Sequence, residues 1–390
     1  MEQQLPEQRT TATFGGSELI ARGVGPVLQK FDGVRTIAVL RGGGLGDLMF
    51  AMPAIDALAA AYPQADITLL GAPAHRVLLE GRPGSVLKVE VLPFAQGVRE
   101  GTSGNTDDDA AELDRFFDRL GGTFDLAVQL HGGGRYSNPF LLKLKAPHTV
   151  GTRTPDAEPL DRTLPYIYSQ HEVFRFLEVA GLAGAYPTTL EPQIEVTDQE
   201  HDGGQRWLTG GNELLVIHPG ATDPRRRWPT SSFAAIGHRA AEDGCRVLVV
   251  GDESDVGAAA DIVRLANHTA VSSVAGELSL SELVGLLSAA TVMVGNDSGP
   301  RHLAQAVGTP TVGIYWVGNV INAGAIGRML HRVRMAWVTH CPVCGRDVTQ
   351  VGWTSERCEH DDSLVAAIQP DDVYADVREL MATSLLLRGR

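Results

Sequence analysis

Val294-Gly295-Asn296-Asp297-Ser298-Gly299-Pro300-Arg301-His302-Leu303-Ala304 is the stretch from which the rest of this chain can be read. It continues an apolar run that starts at Thr291 and has the β-branched residues of a buried strand. Asp297 or Ser298 can cap a helix, and Gly299 permits a sharp turn. Pro300 suits the first helical position, where its missing N–H is not needed. The segment therefore predicts a strand turning directly into a helix. Such a helix start carries unpaired backbone N–H groups at the positive end of its dipole, which makes it an anion site. Arg301 and His302 add cationic or hydrogen-bonding side chains beside it. The same pattern also serves as an ordinary turn in an α/β protein, so the remaining sequence has to decide.

Around this corner the second half alternates strand and helix. Strands are predicted at Glu213–Ile217, Arg246–Val250, Val271–Val274 and Thr311–Tyr315, the last closing the sheet. Helices are predicted at Ser231–Glu242, Asp255–Leu265 and Leu280–Ala289. The first half repeats the pattern, with strands at Thr36–Leu40, Asp66–Leu70, Val86–Leu92, Phe124–Leu130 and Thr149–Gly151. A helix is predicted over Leu48–Ala61 and another from His171, and a short one over Ser17–Leu28. Gly97–Asp109 reads as a mobile polar loop, and Pro187–Thr197 as a linker or edge strand. The order β–α–β indicates parallel sheets. The reading is an α/β chain of two Rossmann-like domains with a ligand cleft between them. Its expected divisions are a leader (1–33), a first domain (34–195), a second domain (196–365) and a C-terminal helix (366–390) packing back across the first domain.

With 390 residues the chain exceeds one ordinary core. Its net charge of −14 argues against nucleic acid and against electrostatic binding to an anionic membrane. No apolar run reaches the roughly 18 residues of a bilayer span, and the N-terminus lacks a secretory pattern, so a cytoplasmic location is expected. Four cysteines supply no disulfide framework. Against this acidic background Arg225-Arg226-Arg227 stands out as a local cationic cluster.

Arg41-Gly42-Gly43-Gly44-Leu45-Gly46-Asp47 follows the first strand and invites a dinucleotide reading. That reading fails, because Asp47 stands where the third glycine belongs. The acid lies at a helix start on the carboxyl side of a strand, where it is either a simple cap or a ligand group. An aspartate facing clustered cations across a cleft suits group transfer from a phosphorylated donor.

Taken together, these motifs resemble glycosyltransferase family nine, the heptosyltransferases of GT-B fold. Gly44-Leu45-Gly46-Asp47 with Met52-Pro53-Ala54 resembles the family's first loop and helix, and Leu164-Pro165 with Gln170-His171-Glu172 its segment before the inter-domain linker. His218-Pro219-Gly220-Ala221 with Arg227-Trp228-Pro229 resembles its donor loop. Gly295–Ala304 followed by Gly308-Thr309-Pro310-Thr311 resembles its most diagnostic motif. The resemblance implies a metal-independent, inverting transfer of a sugar, a heptose from ADP-heptose in the prototype, to an acceptor hydroxyl. The nucleotide diphosphate sugar is then a co-substrate and no cofactor is required. Asp47 corresponds to the general base. His218, Gly220, Thr222, Arg227, Ser298, Gly299 and His302 correspond to donor contacts, with Arg227 in place of a lysine. Asp297 would hold sugar hydroxyls, and Asp252 or Glu253 the ribose. Leu278 and Leu280 either line the base pocket or belong to the core. Gly43, Gly44, His131 and Arg135 are assigned to the acceptor side. The acceptor is either a soluble small molecule, which the acidic charge favours, or a lipid-linked lipopolysaccharide core. The alternatives are an epimerase or hydrolase on the same architecture, or a non-catalytic sugar-nucleotide binder.

One further motif lies outside that scheme. Cys341-Pro342-Val343-Cys344 has ligand spacing, and Cys358 with His360, or with His340 as the alternative fourth ligand, can complete a tetrahedral zinc site. The alternative is reduced thiols or a disulfide. Cys245 reads as a small buried hydrophobe.

Overall fold

The computed structural model describes residues 24–101, 106–208, 213–349 and 356–388. Residues 17–23 of the short helix expected near the N-terminus lie outside these, and residues 24–28 are not helical. In the first lobe the strands are β1 (Thr36–Leu40), β2 (Asp66–Gly71), β3 (Lys88–Val91), β4 (Leu126–Gln129), β5 (His148–Arg153) and β6 (Arg162–Pro165). The second lobe contains β7 (Leu214–His218), β8 (Arg246–Val249), β9 (Val271–Ser273), β10 (Val292–Asn296), β11 (Thr311–Trp316) and β12 (His331–Ala336). Both sheets are parallel, in the orders β3-β2-β1-β4-β5-β6 and β12-β11-β10-β7-β8-β9. Counted from the first strand of each lobe, these are the same order, and each reverses direction once, between β1 and β4 and between β7 and β10. Ligands of open parallel sheets bind beyond the strand ends at such a reversal.

The central strands form because their residues are apolar on both faces. β4, β7 and β10 are buried along their whole length, as β-sheets covered by helices on both sides require. Each fully buried Val, Ile or Leu there contributes about 1.5–3 kcal/mol. The first lobe's helices are α1 (Leu45–Ala61), α2 (Pro73–Leu79), α3 (Thr106–Leu120), α4 (Ser137–Leu142) and α5 (Glu172–Leu182). The second carries α6 (Asp198–Gln205), α7 (Thr230–Glu242), α8 (Val256–Ala266), α9 (Leu280–Ala289), α10 (Gly299–Ala306), α11 (Val317–Ala323) and α12 (Pro370–Arg388).

The lobes share one hydrophobic core, in which Leu48, Met49 and Ile55 of α1 join Leu303 and Ala304 of α10. The helix starts approach so closely that a Cβ on Gly46 would lie 3.1 Å from His302 Cδ2, and one on Gly299 3.2 Å from Leu45 Cβ. A second tie is the Arg82–Glu200 ion pair, both partners buried.

Four expectations change. The loop read over Gly97–Asp109 gives way to α3 from Thr106, whose amphipathic pattern is masked by three consecutive aspartates in its first turn. Pro187–Thr197 contributes no strand and is a linker. β11 does not close its sheet, because β12 pairs beyond it. Finally, α12 does not pack back on the first lobe. Val373, Tyr374, Val377 and Leu380 are buried in the second lobe's core, against α7 and strands β10–β12. The length of the helix does not say which surface covers it.

Candidate active site

All four strand ends flanking the two reversals carry polar groups. Leaving β1, the chain passes Arg41 and enters α1, whose third residue is Asp47. Asp47 Oδ2 accepts the Gly44 amide at 2.8 Å, and Arg41 Nη2 lies 2.6 Å from Oδ1. Arg41 also donates to the carbonyls of Asp47 and Leu130, at 3.1 and 3.0 Å. The Arg41 side chain is 7% exposed and that of Asp47 45%, so the carboxylate is gripped from behind and open in front. Gly43 has φ +89°, and a side chain there would collide with the Asp47 carboxylate.

Beyond β4, His131 ties two loops together. Its Nδ1 accepts the Gly42 amide and its Nε2 donates to the Gly97 carbonyl, each at 3.1 Å. Burial, reinforced by the Arg41 charge, pushes this imidazole down to about 4. It is therefore neutral at pH 7, as one donor and one acceptor require.

In the second lobe, Asn296 accepts the Trp228 amide at 3.0 Å and donates to the Pro219 carbonyl at 2.6 Å, joining the loop after β7 to the corner after β10. Ser298 is the N-cap of α10, yet its hydroxyl makes no hydrogen bond to the helix. It instead meets His218 Nδ1 at 3.0 Å, and His218 Nε2 lies 3.5 Å from Asp255. Burial opposes the charged form of Asp255, but the hydrogen bond and charge of His218 outweigh it and lower its pKa.

Asp297 is buried and heavily paired. His302 Nε2 lies 2.8 Å from Oδ1, while Arg226 at 3.2 Å and Asn319 reach Oδ2. Burial alone would raise its pKa. The His302 hydrogen bond and the charges of Arg301 and Arg226 override that and hold it at about 2. His302 is pushed down to about 4 by burial and then by Arg301, which approaches its Nδ1 at 2.8 Å. The neutral ring accepts from Arg301 and donates to Asp297.

Two cavities meet at this point. One of about 660 Å³ is lined by Gly44, Leu45, His218, Gly220, Thr222, Asp252, Asp255, Leu278, Leu280, Ser298 and Gly299. The other, about 620 Å³, is lined by Arg41, Asp47, Glu172, Arg226, Asp297, Asn319 and Arg357 among others. Neighbouring residues face different cavities: Leu45 the first and Asp47 the second on one side, Ser298 the first and Asp297 the second on the other. His131 continues the second into a third space of about 530 Å³ with Arg135.

The structure thus brings most of the expected residues to the cleft and displaces some. Arg227 lines neither cavity; its Nε is spent on the Ala221 carbonyl at 2.8 Å, and Arg226 points inward instead. His302 is covered and contacts Asp297 rather than open space. Glu253 lines neither cavity, whereas Asp252 does. Gly44 lies on the first cavity, not the second, and Gly43 lines none of them. Asp255 and Arg357 escaped the sequence reading, whereas Arg226 and Glu172 stood in its arginine cluster and in its Gln170-His171-Glu172 motif without being assigned to the site. Gly220 and Gly251 both leave room for the Asp255 carboxylate.

The cysteine motif also closes up. Donor atoms of Cys341, Cys344, Cys358 and His360 all lie within 4.8 Å of one another. The cysteines form no disulfide, and none of the four residues lines either main cavity.

The sequence profile of glycosyltransferase family 9 (heptosyltransferase) matches residues 113–343, more than half of the chain. Lipopolysaccharide core heptosyltransferase OpsX of Haemophilus influenzae is 19% identical over 353 residues, covering 89% of this chain and 97% of that one. Lipopolysaccharide heptosyltransferase 2 of Escherichia coli K12 is 27% identical over 303 residues, covering 72% and 82%. The structure of E. coli ADP-heptose LPS heptosyltransferase II superposes with a TM-score of 0.63 at 20% identity, covering 89% of this chain and 98% of that chain. It shares the GT-B arrangement of two parallel sheets seen here. Two equivalent sheets, a cleft between their reversal points and this profile match agree: the chain belongs to glycosyltransferase family 9, the heptosyltransferases.

Proposed function

We propose that this enzyme transfers a heptose from ADP-heptose to a sugar hydroxyl of an acceptor in a single inverting displacement. The observation that carries the reading is the half-exposed Asp47 carboxylate standing where the two cavities meet, opposite Arg226 and the uncapped start of α10. The 660 Å³ cavity takes the nucleotide. Leu278 and Leu280 supply apolar contact for the base, and Asp252 acceptor oxygens for the ribose. The diphosphate lies against Thr222, Ser298 and the amides of α10, where the dipole favours negative charge.

The sugar then crosses into the second cavity. Asp47 takes the proton of the acceptor hydroxyl, and its oxygen attacks the anomeric carbon. The bond from that carbon to the β-phosphate oxygen breaks, leaving ADP. Arg226 neutralises the departing charge. Asp297 acts less on sugar hydroxyls than on Arg226 and Asn319, which it orients through its Oδ2. No step in this scheme draws on the cysteine cluster.

The named relatives support a lipopolysaccharide core as acceptor, and the third space beyond His131 extends the acceptor path. Among the described residues no helix is long and apolar enough to cross a membrane. ADP release with heptose-deficient lipopolysaccharide, with soluble sugars and without acceptor tests the assignment. Release at full rate without acceptor overturns transfer in favour of hydrolysis, and turnover only with soluble sugars overturns the lipid-linked acceptor.

A further inference from the structure

Two helices that open on the 660 Å³ cavity begin with a residue whose side chain does not cap its helix. Ser298 precedes α10 and Asp255 precedes α8, and neither side chain bonds to the helix it starts. Both turn instead to one imidazole, that of His218 at the end of β7. Ser298 Oγ lies 3.0 Å from Nδ1, and Asp255 Oδ2 lies 3.5 Å from Nε2. All three residues line the cavity, with the His218 side chain 6% and the Asp255 side chain 11% exposed.

The backbone is shaped around the acid. A Cβ on Gly220 would lie 2.5 Å from Asp255 Oδ1, and one on Gly251 2.5 Å from Asp255 Cβ. The Asp252 amide donates to Oδ2 at 3.3 Å, which leaves the carboxylate facing His218.

The neighbouring charged groups are committed elsewhere. Asp252 accepts from the amide and hydroxyl of Ser254. Asp297 and Arg301, on the corner after β10, face Arg226, Asn319 and His302. Asp47, across the cleft, is held by Arg41. Arg227, on the loop after β7, is the cation whose charge also acts on Asp255. A second cation beside that carboxylate is therefore opposed until an anion arrives.

Hydrogen-bond counting separates two states of this chain of groups. With Asp255 ionised, Nε2 keeps its hydrogen toward it. In the neutral ring Nδ1 is an acceptor and takes the Ser298 O–H. Ser298 then shows only lone pairs to the cavity, which repel a phosphate. In the imidazolium Nδ1 donates to Ser298 Oγ, and the hydroxyl hydrogen turns outward as a donor.

We propose that Asp255, His218 and Ser298 form a proton-linked relay for the donor's diphosphate: one proton passes from solvent to His218 Nδ1 as the diphosphate binds, and the Ser298 hydroxyl is freed to donate to a phosphate oxygen. Asp255 and His218 are positioning residues that act through Ser298. The ligand is the nucleotide diphosphate sugar of the transferase reading, on which this inference rests.

The test is calorimetric titration with ADP-heptose near pH 8, without acceptor, in HEPES and in Tris, whose heats of ionisation differ. Each phosphate of this donor is a diester, so the ligand itself does not titrate there. Uptake of about one proton per donor is expected, and less than about half a proton overturns the relay. By reciprocal linkage the Kd should rise at least about threefold per pH unit above pH 7.5. His218→Gln keeps a hydrogen-bonding side chain but cannot take the proton, and should lose both the uptake and the pH dependence. Uptake retained in His218→Gln places the proton elsewhere and overturns the relay. Should that variant fail to fold, Ser298→Ala and Asp255→Asn give the same answer, because each removes one link; full uptake in either overturns the relay. No saturable binding of ADP-heptose overturns the donor reading and the relay together, whereas binding without uptake overturns the relay alone.

Discussion

Arg41 holds Asp47 at 2.6 Å while remaining almost fully buried itself, so the acid at the centre of the cleft has a fixed counter-charge on one side and open space on the other. This arrangement sets the direction from which the carboxylate can take a proton. Asp47→Ala should lower kcat by about 10²–10⁴ while leaving donor affinity nearly unchanged. Single-turnover transfer and calorimetric titration with ADP check both halves, and undiminished transfer removes Asp47 as the base.

Arg226 and Arg227 separate two readings of one sequence cluster. Arg226 faces the cavity and pairs with Asp297; Arg227 is bound to a loop carbonyl. Arg226→Ala should reduce kcat/KM for the donor by about 10²-fold through lost stabilisation of the leaving group, with partial recovery in Arg226→Lys. Arg227→Ala should change it by no more than about threefold. The reverse order in steady-state kinetics would return the role to Arg227.

Asp297 neutralises the cationic side chains of Arg226 and Arg301 and also accepts from the Asn319 amide. Removing it in Asp297→Ala strands Arg301, whose side chain is 1% exposed. The expected loss is about 3–5 kcal/mol of stability, read by urea denaturation. A loss below about 1 kcal/mol would mean that water reaches the site and replaces the carboxylate.

His131, His302 and His331 are each pushed down from 6.5 to about 4, in every case chiefly by burial. Unfolding frees these imidazoles to bind protons near 6.5 while the folded ones remain neutral. The unfolded chain therefore holds more protons between pH 6.5 and about 4, and stability should fall as pH drops through that window. Each group contributes a slope of up to about 1.4 kcal/mol per pH unit. Urea midpoints measured from pH 7 to pH 4 test this, and His131→Gln should flatten the slope.

Gly46 and Gly299 set how closely the lobes meet. Gly46→Ala forces its Cβ against His302 and should cost about 1–3 kcal/mol by overpacking. A Tm equal to that of the parent would show that the α1–α10 contact yields at no cost.

The alternating apolar runs, the glycine-rich turn before Asp47 and the Asn296–His302 corner dictate two parallel α/β sheets with ligand sites at their strand ends, because periodicity and turn chemistry are local properties. They also resemble one family along most of the chain. Three things were not legible. Which of three adjacent arginines line the cavity, Arg225 and Arg226 but not Arg227, depends on one turn of 3-10 helix at Pro224–Arg226, whose phase the sequence does not reveal. Whether His302 meets ligand or protein depends on how tightly α1 packs against α10, a contact between residues more than 250 positions apart. And α12 is recognisable as a helix, but only the tertiary structure decides that the second lobe covers it, since local sequence does not record the identity of the neighbour.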